Sequence, residues 1–359
     1  MMRALYETVA REVGTPAAIV DLDIVERNIA RIQRACDEAG LKNRPHIKTH
    51  KSPLLADMQR EAGAAGITCQ KLGEAEIFAE AGHRDILISY NIMGEEKIAR
   101  LARLTERADM IVATDNPVSI AAASEAATRA GREIGVVVEC DTGRRRAGVE
   151  TPGEAIALAG EIARAAGLRF DGFLLYPPED AFPATQAFLD AATEGVREFG
   201  LSPRIVSTGG TPNLANLGRI RGATEHRPGT YIFNDRMMMA AGVAALGDCA
   251  LTIVSTLVSR ATPARGILDA GSKTLTSDLG KLKGHGLVRE YPEAVIHALA
   301  EEHGFVDLSA CARLIEVGEL VGIVPNHVCV VVNLMDRLIA TRGGEIVGEI
   351  PVAARGRIR

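Results

Sequence analysis

The residues best suited to chemistry fall in one basic stretch, Arg44-Pro45-His46-Ile47-Lys48-Thr49-His50-Lys51. A basic stretch of this kind is usually a solvated turn, because charged turns are common. This one follows a short predicted strand, however, and the active sites of α/β proteins gather at strand ends. A lysine amine that is desolvated near other cations loses its proton easily and can attack a carbonyl group. The stretch therefore predicts an active-site lysine.

Lys48 is the better candidate of the two lysines in this stretch. It lies at the predicted strand end beside Ile47, whereas Lys51 lies farther out in the following loop. The residues alone leave its role open between forming a Schiff base and holding a substrate carboxylate.

Two glycine-containing segments are typical of phosphate-binding loops. Ser207-Thr208-Gly209-Gly210-Thr211 ends a predicted strand, and Arg227-Pro228-Gly229-Thr230-Tyr231 follows soon after it. Glycines let backbone N–H groups approach an anion, and hydroxyl groups add donors. Gly-Gly alone usually marks a plain turn, so the prediction depends on the two segments together. The candidate phosphate ligands are Thr208, Gly209, Gly210, Thr211, Gly229 and Tyr231.

Three further positions at predicted strand ends are candidates for contacting a cofactor or a carboxylate. Arg146 belongs to the run Glu139-Cys140-Asp141-Thr142-Gly143-Arg144-Arg145-Arg146-Ala147-Gly148, which ends the sixth predicted strand. Arginines in such a run are usually solvated, but at the end of a barrel strand one of them can be held inward. Gln70 and Tyr176 each end a predicted strand and could equally be ordinary loop residues.

A candidate metal site lies near the end of the chain, in Pro325-Asn326-His327-Val328-Cys329-Val330. The pattern predicts a strand here, on which His327 and Cys329 share a face. An imidazole and a thiolate so placed can chelate a borderline-soft divalent ion, zinc best of all, and leave positions open for substrate and water. A buried cysteine beside a hydrogen-bonded histidine is the alternative. His303 is a candidate further ligand or base.

These side chains must be positioned by short apolar runs that alternate with helix-length segments over the first two-thirds of the chain. The alternation favours one closed (β/α)8 barrel, and no GxGxxG motif follows the first strand. After about residue 245 strands predominate, which predicts a second, β-rich domain. The predicted domains are residues 14–245, and residues 246–359 together with 1–13. The predicted strands are Ala18–Asp23, Pro45–Lys48, Gly66–Gln70, Asp85–Tyr90, Met110–Asp115, Ile134–Asp141, Phe170–Tyr176 and Arg204–Gly210 in the barrel, and Ala250–Ala261, Gly266–Ala270, Leu314–Val317, Cys329–Leu334 and Glu345–Val352 in the second domain.

Composition argues against several other classes of protein. The 359 residues are 47% hydrophobic and 24% charged, as in ordinary globular proteins. The formal net charge of -5 offers no basic surface to nucleic acid, and no apolar run is long enough for a membrane span. Six dispersed cysteines without a CxxC pattern indicate reduced thiols. With no signal-peptide pattern in the first residues, we expect a cytoplasmic protein.

The order of these motifs resembles the metal-activated pyridoxal enzymes grouped as D-threonine aldolases and D-serine dehydratases, which share the alanine racemase fold, fold type III. The resemblance rests on Thr15–Asp23, the basic stretch, Asp141-Thr142-Gly143 with Arg146, the Ser207–Thr211 loop and Pro325–Cys329. It runs over nearly the whole chain. The motifs are specific to the superfamily and much less specific to the reaction.

The resemblance implies a role for each motif. Lys48 would bind pyridoxal 5'-phosphate covalently, and Arg146 would face the pyridine nitrogen, where an arginine weakens the electron sink. His327 and Cys329 would bind a divalent metal, zinc or manganese, with magnesium and cobalt as alternatives. The residues that would surround the phosphate are Gly209, Gly210, Thr211 and Tyr231.

The family acts on D-β-hydroxy-α-amino acids and carries out one of two reactions. Removal of the hydroxyl proton breaks the Cα–Cβ bond and yields glycine and an aldehyde, whereas removal of the Cα proton by Lys48 leads to loss of hydroxide, a 2-oxo acid and ammonia. Aldolases often have a carboxylate where Cys329 stands, and a thiolate is similar to the dehydratase arrangement. The context Asn326–Leu334 and the short chain are more similar to bacterial D-threonine aldolases. The prediction is therefore the aldolase, with a D-serine or D-3-hydroxyaspartate dehydratase as the alternative.

Two other functions agree less well with the sequence. An amino-acid racemase needs no metal pair and uses a tyrosine of the partner subunit, and none of the five tyrosines stands out for this role. A non-catalytic pyridoxal-phosphate carrier is a single barrel, which leaves the second domain unexplained. The resemblance also implies a small-molecule D-amino acid substrate and a head-to-tail homodimer, in which each β-rich domain completes its neighbour's site.

Overall fold

The computed structural model describes residues 2–313 and 315–359 of the chain, which divide into two compact units. The units interleave along the sequence, because the chain leaves and re-enters each of them. We name them the barrel unit and the mixed-sheet unit after their sheets. The barrel unit comprises residues 31–48, 55–229 and 357–359, and the mixed-sheet unit comprises the residues up to 30, 49–54 and 230–356.

Helices and strands alternate through most of the chain, and strands predominate toward its end. The helices are α1 (Met2–Glu12), α2 (Leu22–Glu38), α3 (Pro53–Glu61), α4 (Leu72–Glu80), α5 (Glu95–Leu104), α6 (Pro117–Ala130), α7 (Pro152–Arg164), α8 (Phe182–Arg197), α9 (Arg236–Ala240) and α10 (Val328–Leu334). The strands are β1 (Ala17–Asp21), β2 (Lys42–Asn43), β3 (Ile67–Cys69), β4 (Asp85–Ile88), β5 (Asp109–Thr114), β6 (Ile134–Cys140), β7 (Leu168–Leu175), β8 (Ile205–Gly209), β9 (Glu225–Arg227), β10 (Leu251–Thr262), β11 (Arg265–Leu268), β12 (Gly286–Val288), β13 (Val295–Leu299), β14 (Gly304–Asp307), β15 (Leu320–Pro325), β16 (Arg337–Arg342) and β17 (Glu345–Pro351).

Local sequence rules set the bounds of α6. The Asn116 side chain accepts the Ser119 N–H at 3.0 Å and so caps the first turn, and Pro117 is tolerated at the first helical position. The helix ends where Gly131 adopts the left-handed conformation, with φ of 61°. The cap and the stop together place α6 between β5 and β6 with short connections.

The barrel unit is built on an eight-stranded parallel sheet with the order β2-β9-β8-β7-β6-β5-β4-β3. The sheet closes because the chain after β2 reaches β3. The Pro45 carbonyl accepts the Thr68 N–H at 2.8 Å, and His46 forms a parallel bridge with Thr68. The expected (β/α)8 barrel is confirmed. The strands β4 to β8 share one buried apolar cluster, which consists of Leu87, Ile111, Ala113, Val137, Leu174 and Ile205.

Six of the eight predicted barrel strands are confirmed, and two assignments are wrong. Ala18–Asp23 does form a strand, β1, but β1 pairs with β10 and β16 in the mixed-sheet unit. Pro45–Lys48 is not a continuous strand, because β2 ends at Asn43 and a 3-10 helix occupies Ile47–Thr49. The eighth strand of the barrel is instead β9, which the sequence analysis missed.

Buried ion pairs explain why β9 could not be recognised. Glu225 is 2% exposed, and it accepts hydrogen bonds from Arg44 Nε at 2.8 Å and from Ser207 Oγ at 2.6 Å. Arg227 is also buried and donates to Ser207 Oγ and, at 3.1 Å, to the Leu175 carbonyl. A buried charge is tolerated only when it is paired. A strand of charged residues therefore resembles an exposed loop until its partners are known.

The mixed-sheet unit is built on a sheet with the order β13-β14-β11-β10-β1-β16-β17, to which β15 is added at β10 and β12 at β15. β1 is antiparallel to β10 and parallel to β16. α1 packs on this sheet with one apolar face, as an amphipathic helix should. The shared cluster consists of Leu5, Tyr6, Val9, Ala17, Ile19, Val254 and Ile339.

Three of the predicted strands in this part of the chain are confirmed as β10, β11 and β17. The prediction that Cys329–Leu334 forms a strand is wrong, because Val328–Leu334 is the helix α10. A short apolar run fits either structure by periodicity, and three consecutive valines favoured the strand. The predicted strand 314–317 begins at Leu314, which lies outside the described residues, and residues 315–317 form no strand.

The domain limits at residues 14, 245 and 246 stay a prediction. In the structure, β1 and residues 230–245 belong to the mixed-sheet unit. Across residues 2–313 and 315–359, no helix has the length and apolar character needed to cross a membrane.

Candidate active site

The predicted site residues of the barrel unit lie at the carboxyl end of its parallel sheet. Lys48 follows β2, Gln70 follows β3, Arg146 follows β6, Tyr176 follows β7, and Thr208–Thr211 spans the end of β8. The carboxyl ends of parallel barrel strands form one face of the barrel. The fold therefore brings residues from five separate parts of the sequence to one face.

Lys48 is half-buried, and its amine donates to the side-chain oxygen of Gln70 at 3.4 Å. The same oxygen lies 3.1 Å from His46 Nε2. Gln70 is oriented by its amide nitrogen, which donates to the Ser89 carbonyl at 3.0 Å. The Gln70 oxygen must then face the lysine, because the amide nitrogen is engaged elsewhere. The structure thus brings Lys48 and Gln70 together and places His46 beside them.

His46 is a neutral neighbour of the lysine. Burial lowers the pKa of His46 well below its usual value, and the positive charges of Lys48 and Arg227 lower it further. The imidazole therefore adds no positive charge beside the amine at neutral pH.

The loop after β6 is shaped by the carboxylate of Asp141. It accepts the backbone N–H groups of Gly143 and Arg146, both at 2.8 Å. Burial raises the pKa of Asp141, but these backbone donors outweigh it and lower the pKa below the usual value. Arg146 Nη2 lies 3.5 Å from the buried carboxylate of Glu139. The backbone of Arg146 is thus fixed, while its side chain stays 59% exposed.

The Tyr176 ring lies against Arg144, Arg146 and Gly210. The guanidinium carbon of Arg144 lies 4.1 Å from the centre of the Tyr176 ring, and that of Arg146 lies 5.5 Å from it. Gly210 has φ of 97°, and a Cβ atom added there would overlap the Tyr176 ring. Only glycine meets both conditions. Arg146 and Gly210 therefore border the Tyr176 ring. Its contact with a cofactor ring stays a prediction.

The two predicted phosphate-binding segments contact each other. The Thr211 hydroxyl accepts the Gly229 N–H at 3.2 Å. A Cβ atom added at Gly209 would lie 3.0 Å from Arg227 Nη2. Thr208 is buried, and its hydroxyl lies 2.9 Å from His226 Nδ1. The two segments therefore form a small-residue turn bordered by a buried arginine. Its role as an anion site stays a prediction.

The free energy of unfolding is expected to fall as the pH decreases below about 6.5, because His226 is buried in a neutral state. Burial and the charge of Arg227 lower the pKa of His226 to about 3 from a usual value of 6.5. Below about pH 6.5 His226 binds a proton in the unfolded chain but not in the folded chain. The contribution of neutral His226 to the free energy of unfolding is therefore complete above pH 6.5 and is lost progressively toward pH 3. The loss is up to about 1.4 kcal/mol per pH unit.

Urea unfolding at a series of pH values measures this effect in the wild type and in His226→Gln. The variant should lose part of the pH dependence between about pH 6 and pH 4. Replacing the exposed His303 by glutamine serves as the control. An identical pH dependence in the wild type and His226→Gln would contradict the assignment.

The candidate metal ligands of the mixed-sheet unit lie at the start of α10 rather than on a strand. His327 is the residue before the helix, and Cys329 lies in its first turn. His327 Nδ1 lies 3.1 Å from Asp235 Oδ2 and makes a further side-chain hydrogen bond with Cys329. Thr49, the residue after Lys48 in the chain, has its hydroxyl 3.3 Å from Cys329 Sγ. His327 and Cys329 thus lie close together at the start of α10, and their role as metal ligands stays a prediction.

The electrostatics of His327 suit a ligand that exchanges a proton for a metal ion. Burial lowers the pKa of His327, but hydrogen bonds to Asp235 and Cys329 outweigh it and raise the pKa to about 10. The raised pKa favours the doubly protonated imidazole at neutral pH, so a cation binding at this ring would compete with a proton.

Two other predicted site residues, His303 and Tyr231, belong to the mixed-sheet unit. His303 is exposed in the hairpin between β13 and β14, where its carbonyl accepts the Ala300 N–H at 2.9 Å. Tyr231 is fully buried in the mixed-sheet unit, in the 3-10 helix Thr230–Ile232. Among the described residues, no group of three His, Cys, Asp or Glu side chains has the geometry of a metal site. The roles of His303 and Tyr231 stay predictions.

The sequence analysis missed three residues that the structure adds to these groups. Asp235 contacts His327, Glu139 contacts Arg146, and Thr49 contacts Cys329. Asp235 carries one sequence signal, since an aspartate before a short helical run is typical of an N-cap. That signal does not reveal a histidine partner far along the chain.

Comparison with known proteins finds two matching family models. Residues 20–237 match the family described as "Alanine racemase, N-terminal domain", and residues 250–341 match the "Putative serine dehydratase domain". The first model covers more than half of the chain.

Relatives that carry out either of two reactions resemble the chain over most of its length. It is 34% identical to D-threonine aldolase of Arthrobacter sp, covering 96% of this chain and 93% of the relative. It is 35% identical to D-threo-3-hydroxyaspartate dehydratase of Delftia sp. (strain HT23), covering 88% and 90%. The solved D-threonine aldolase from Filomicrobium marinum superposes with a TM-score of 0.89 at 33% identity, covering 96% of each chain. Identity alone therefore does not separate the two reactions.

Proposed function

The chain belongs to the family of pyridoxal-phosphate lyases that includes D-threonine aldolase and D-threo-3-hydroxyaspartate dehydratase, and from this we propose that it is a D-threonine aldolase. It would cleave D-β-hydroxy-α-amino acids to glycine and an aldehyde. The observation that carries the proposal is the half-buried amine of Lys48, hydrogen-bonded to Gln70 at the carboxyl end of the barrel. Such an amine is suited to covalent chemistry with a carbonyl compound.

The residues of the barrel unit fit pyridoxal 5'-phosphate. When bound, this cofactor supplies an electron sink for charge that develops at the substrate Cα. Lys48 would hold it through Nζ, and Gln70 would keep that amine in place. The turn at Gly210, which has no room for a Cβ atom, supports the phosphate site, and the fixed backbone of Arg146 supports its place at the ring nitrogen.

The donors of the mixed-sheet unit fit a divalent metal ion. His327 offers an imidazole nitrogen and Cys329 a sulfur, and this pair favours zinc, with manganese, magnesium and cobalt as alternatives. When bound, the ion would act as a Lewis acid at the β-hydroxyl of the substrate. Asp235 accepts a hydrogen bond from His327. A carboxylate is a usual hydrogen-bond partner of a metal-binding histidine.

The proposed cleavage moves two protons: one leaves the β-hydroxyl of the substrate, and one adds to Cα. A base takes the proton of the β-hydroxyl, the Cα–Cβ bond breaks, and the aldehyde leaves while the electron pair stays at Cα. A proton then adds to Cα and completes glycine. His303 stays the predicted base. In the alternative dehydration, Lys48 Nζ takes the Cα proton and the hydroxyl leaves instead.

The dehydratase is the second candidate, and a specific residue favours it. Cys329 offers a thiolate, which is similar to the dehydratase arrangement. A non-catalytic carrier is less consistent with the chain, because residues 250–341 match a serine dehydratase domain that a single-barrel carrier would lack. The racemase stays the less favoured alternative from the sequence.

Incubation with D-threonine is expected to separate the two reactions. Protein loaded with pyridoxal 5'-phosphate and either Mn²⁺ or Zn²⁺ should yield glycine and acetaldehyde in equal amounts, with L-threonine as the stereochemical control. Amino-acid analysis and an aldehyde assay measure these products. Formation of 2-oxobutanoate and ammonia alone would establish the dehydratase, and no turnover with any metal would favour a carrier.

Two properties of the whole protein complete the proposal. The resemblance supports a homodimer that acts on a small D-amino acid, and analytical ultracentrifugation would measure its mass in solution. The cytoplasmic location stays a prediction from the sequence.

A further inference from the structure

Asp235 is a buried carboxylate whose hydrogen bonds are divided between two helices. It is 0% exposed and precedes α9, where Oδ1 accepts the Met238 N–H at 2.9 Å. Oδ2 accepts the Val328 N–H at 3.1 Å and lies 3.1 Å from His327 Nδ1. A carboxylate taken out of water requires such donors. Each oxygen therefore has a separate partner set, and one set belongs to the start of α10.

The contact with Oδ2 decides which nitrogen of His327 can bind a metal ion. A buried carboxylate only accepts hydrogen bonds, so Nδ1 must carry a proton. Nε2 is then the nitrogen whose lone pair is available to a metal ion. Because Oδ2 also holds the Val328 N–H, the ring is fixed relative to the turn that carries Cys329.

We infer that Asp235 is a positioning residue, which orients His327 so that Nε2 and Cys329 Sγ face the same metal ion. The inference rests on the proposed function for the presence of a metal, but concerns a residue that takes no part in ligation. Outer partners of this kind typically change metal affinity by about 10–100-fold.

Asp235→Asn is the sharpest test, because it preserves the shape of the side chain and reverses one hydrogen bond. The Asn oxygen can still accept the Met238 N–H and cap α9. The NH₂ group then faces two donors, the Val328 N–H and His327 Nδ1–H. The imidazole can restore a bond only by accepting at Nδ1, which moves its proton to Nε2 and blocks that nitrogen.

Cobalt titration of the metal-free protein measures the effect, since thiolate-bound cobalt absorbs in the near ultraviolet. Asp235→Asn should bind Co²⁺ about 10–100-fold more weakly than the wild type. The cobalt–thiolate band should still form at high metal concentration, and activity with D-threonine should recover there. Binding of pyridoxal 5'-phosphate should be unchanged.

Asp269→Asn is the matched control within the same unit. Asp269 also accepts three hydrogen bonds, from the Thr15 hydroxyl, the Ser255 hydroxyl and the Thr256 N–H, and none comes from His327. Its cobalt affinity should equal that of the wild type. Asp235→Ser provides a second test if the Asn variant folds poorly, because a serine hydroxyl can cap α9 but cannot reach both donors of α10.

The outcomes separate this inference from the proposed function. Unchanged cobalt affinity in folded Asp235→Asn or Asp235→Ser would overturn the inference, as would a wild type that binds no metal. Weaker binding in the Asp235 variants but not in Asp269→Asn would support it. A wild type that binds cobalt but does not cleave D-threonine would reject the aldolase and leave the role of Asp235 standing.

Discussion

Lys48→Ala is expected to abolish the visible absorbance of the bound cofactor and to lower kcat/KM for D-threonine by at least about 10²–10⁴-fold. Alanine removes both the covalent anchor and an amine able to carry a proton. The barrel itself should survive, because Lys48 is only half-buried and lies after β2, outside the strand pairing that closes the sheet. Absorbance spectroscopy and steady-state kinetics measure the two effects.

Lys51→Ala is the matched control for this prediction. Lys51 lies three residues farther on, and its amine lies 3.5 Å from the Ala354 carbonyl within the mixed-sheet unit. Its backbone already adopts a positive φ of 51°, a strain that alanine would share. The variant should therefore keep the cofactor absorbance. Loss of that absorbance in Lys51→Ala and its retention in Lys48→Ala would reverse the assignment.

Cys329→Ser is expected to remove metal-dependent activity while the cofactor stays bound. A serine hydroxyl is a far weaker ligand than a thiolate, because it stays protonated at neutral pH. The loss of metal affinity should exceed the factor of about 100 that loss of an outer partner costs. Metal titration and the absorbance of the bound cofactor measure the two properties independently.

Cys311→Ser controls for the change of cysteine to serine. Both cysteines are half-buried and free of disulfides, but Cys329 has the Thr49 hydroxyl 3.3 Å from its sulfur and contacts His327. Cys311 lies elsewhere in the chain, after β14. The control should keep both metal affinity and activity. Full metal-dependent activity in Cys329→Ser would remove the residue from the metal site.

The sequence predicted well those features that depend on local pattern. Buried parallel strands appear as apolar runs, as in β6, all of whose residues are buried and whose residues 134–138 are apolar. Lys48 could be assigned to one face of the barrel although its own predicted strand was wrong, because it still follows β2, and the glycines at the end of β8 could be assigned to the same face. The roles of these residues remain predictions, but their positions follow from strand order alone.

The wrong secondary-structure predictions at β9 and at residues 328–334 have one physical cause. Contacts with residues distant in sequence decide whether a segment is buried and which structure it forms. Glu225 in β9 looked exposed because its partner Arg44 lies far away in the chain. The opposite error occurred at Val328–Leu334, where β-branched residues suggested a strand but the structure forms α10. The Val328 N–H, at the start of that helix, donates to the Asp235 carboxylate. No local sequence pattern reveals this contact.

Residue types and short spacings are enough to identify the functional groups of this chain, namely an amine at Lys48, a small-residue turn near Gly210, and a nitrogen and sulfur pair at His327 and Cys329. These are properties of residue type and short spacing, which a chain carries whether or not it is folded. The partners that hold these groups depend on the fold: Gln70 contacts the lysine, and Asp235 contacts the histidine. Hydrogen bonds act over about 3 Å, so their partners are set by the fold and not by distance along the chain.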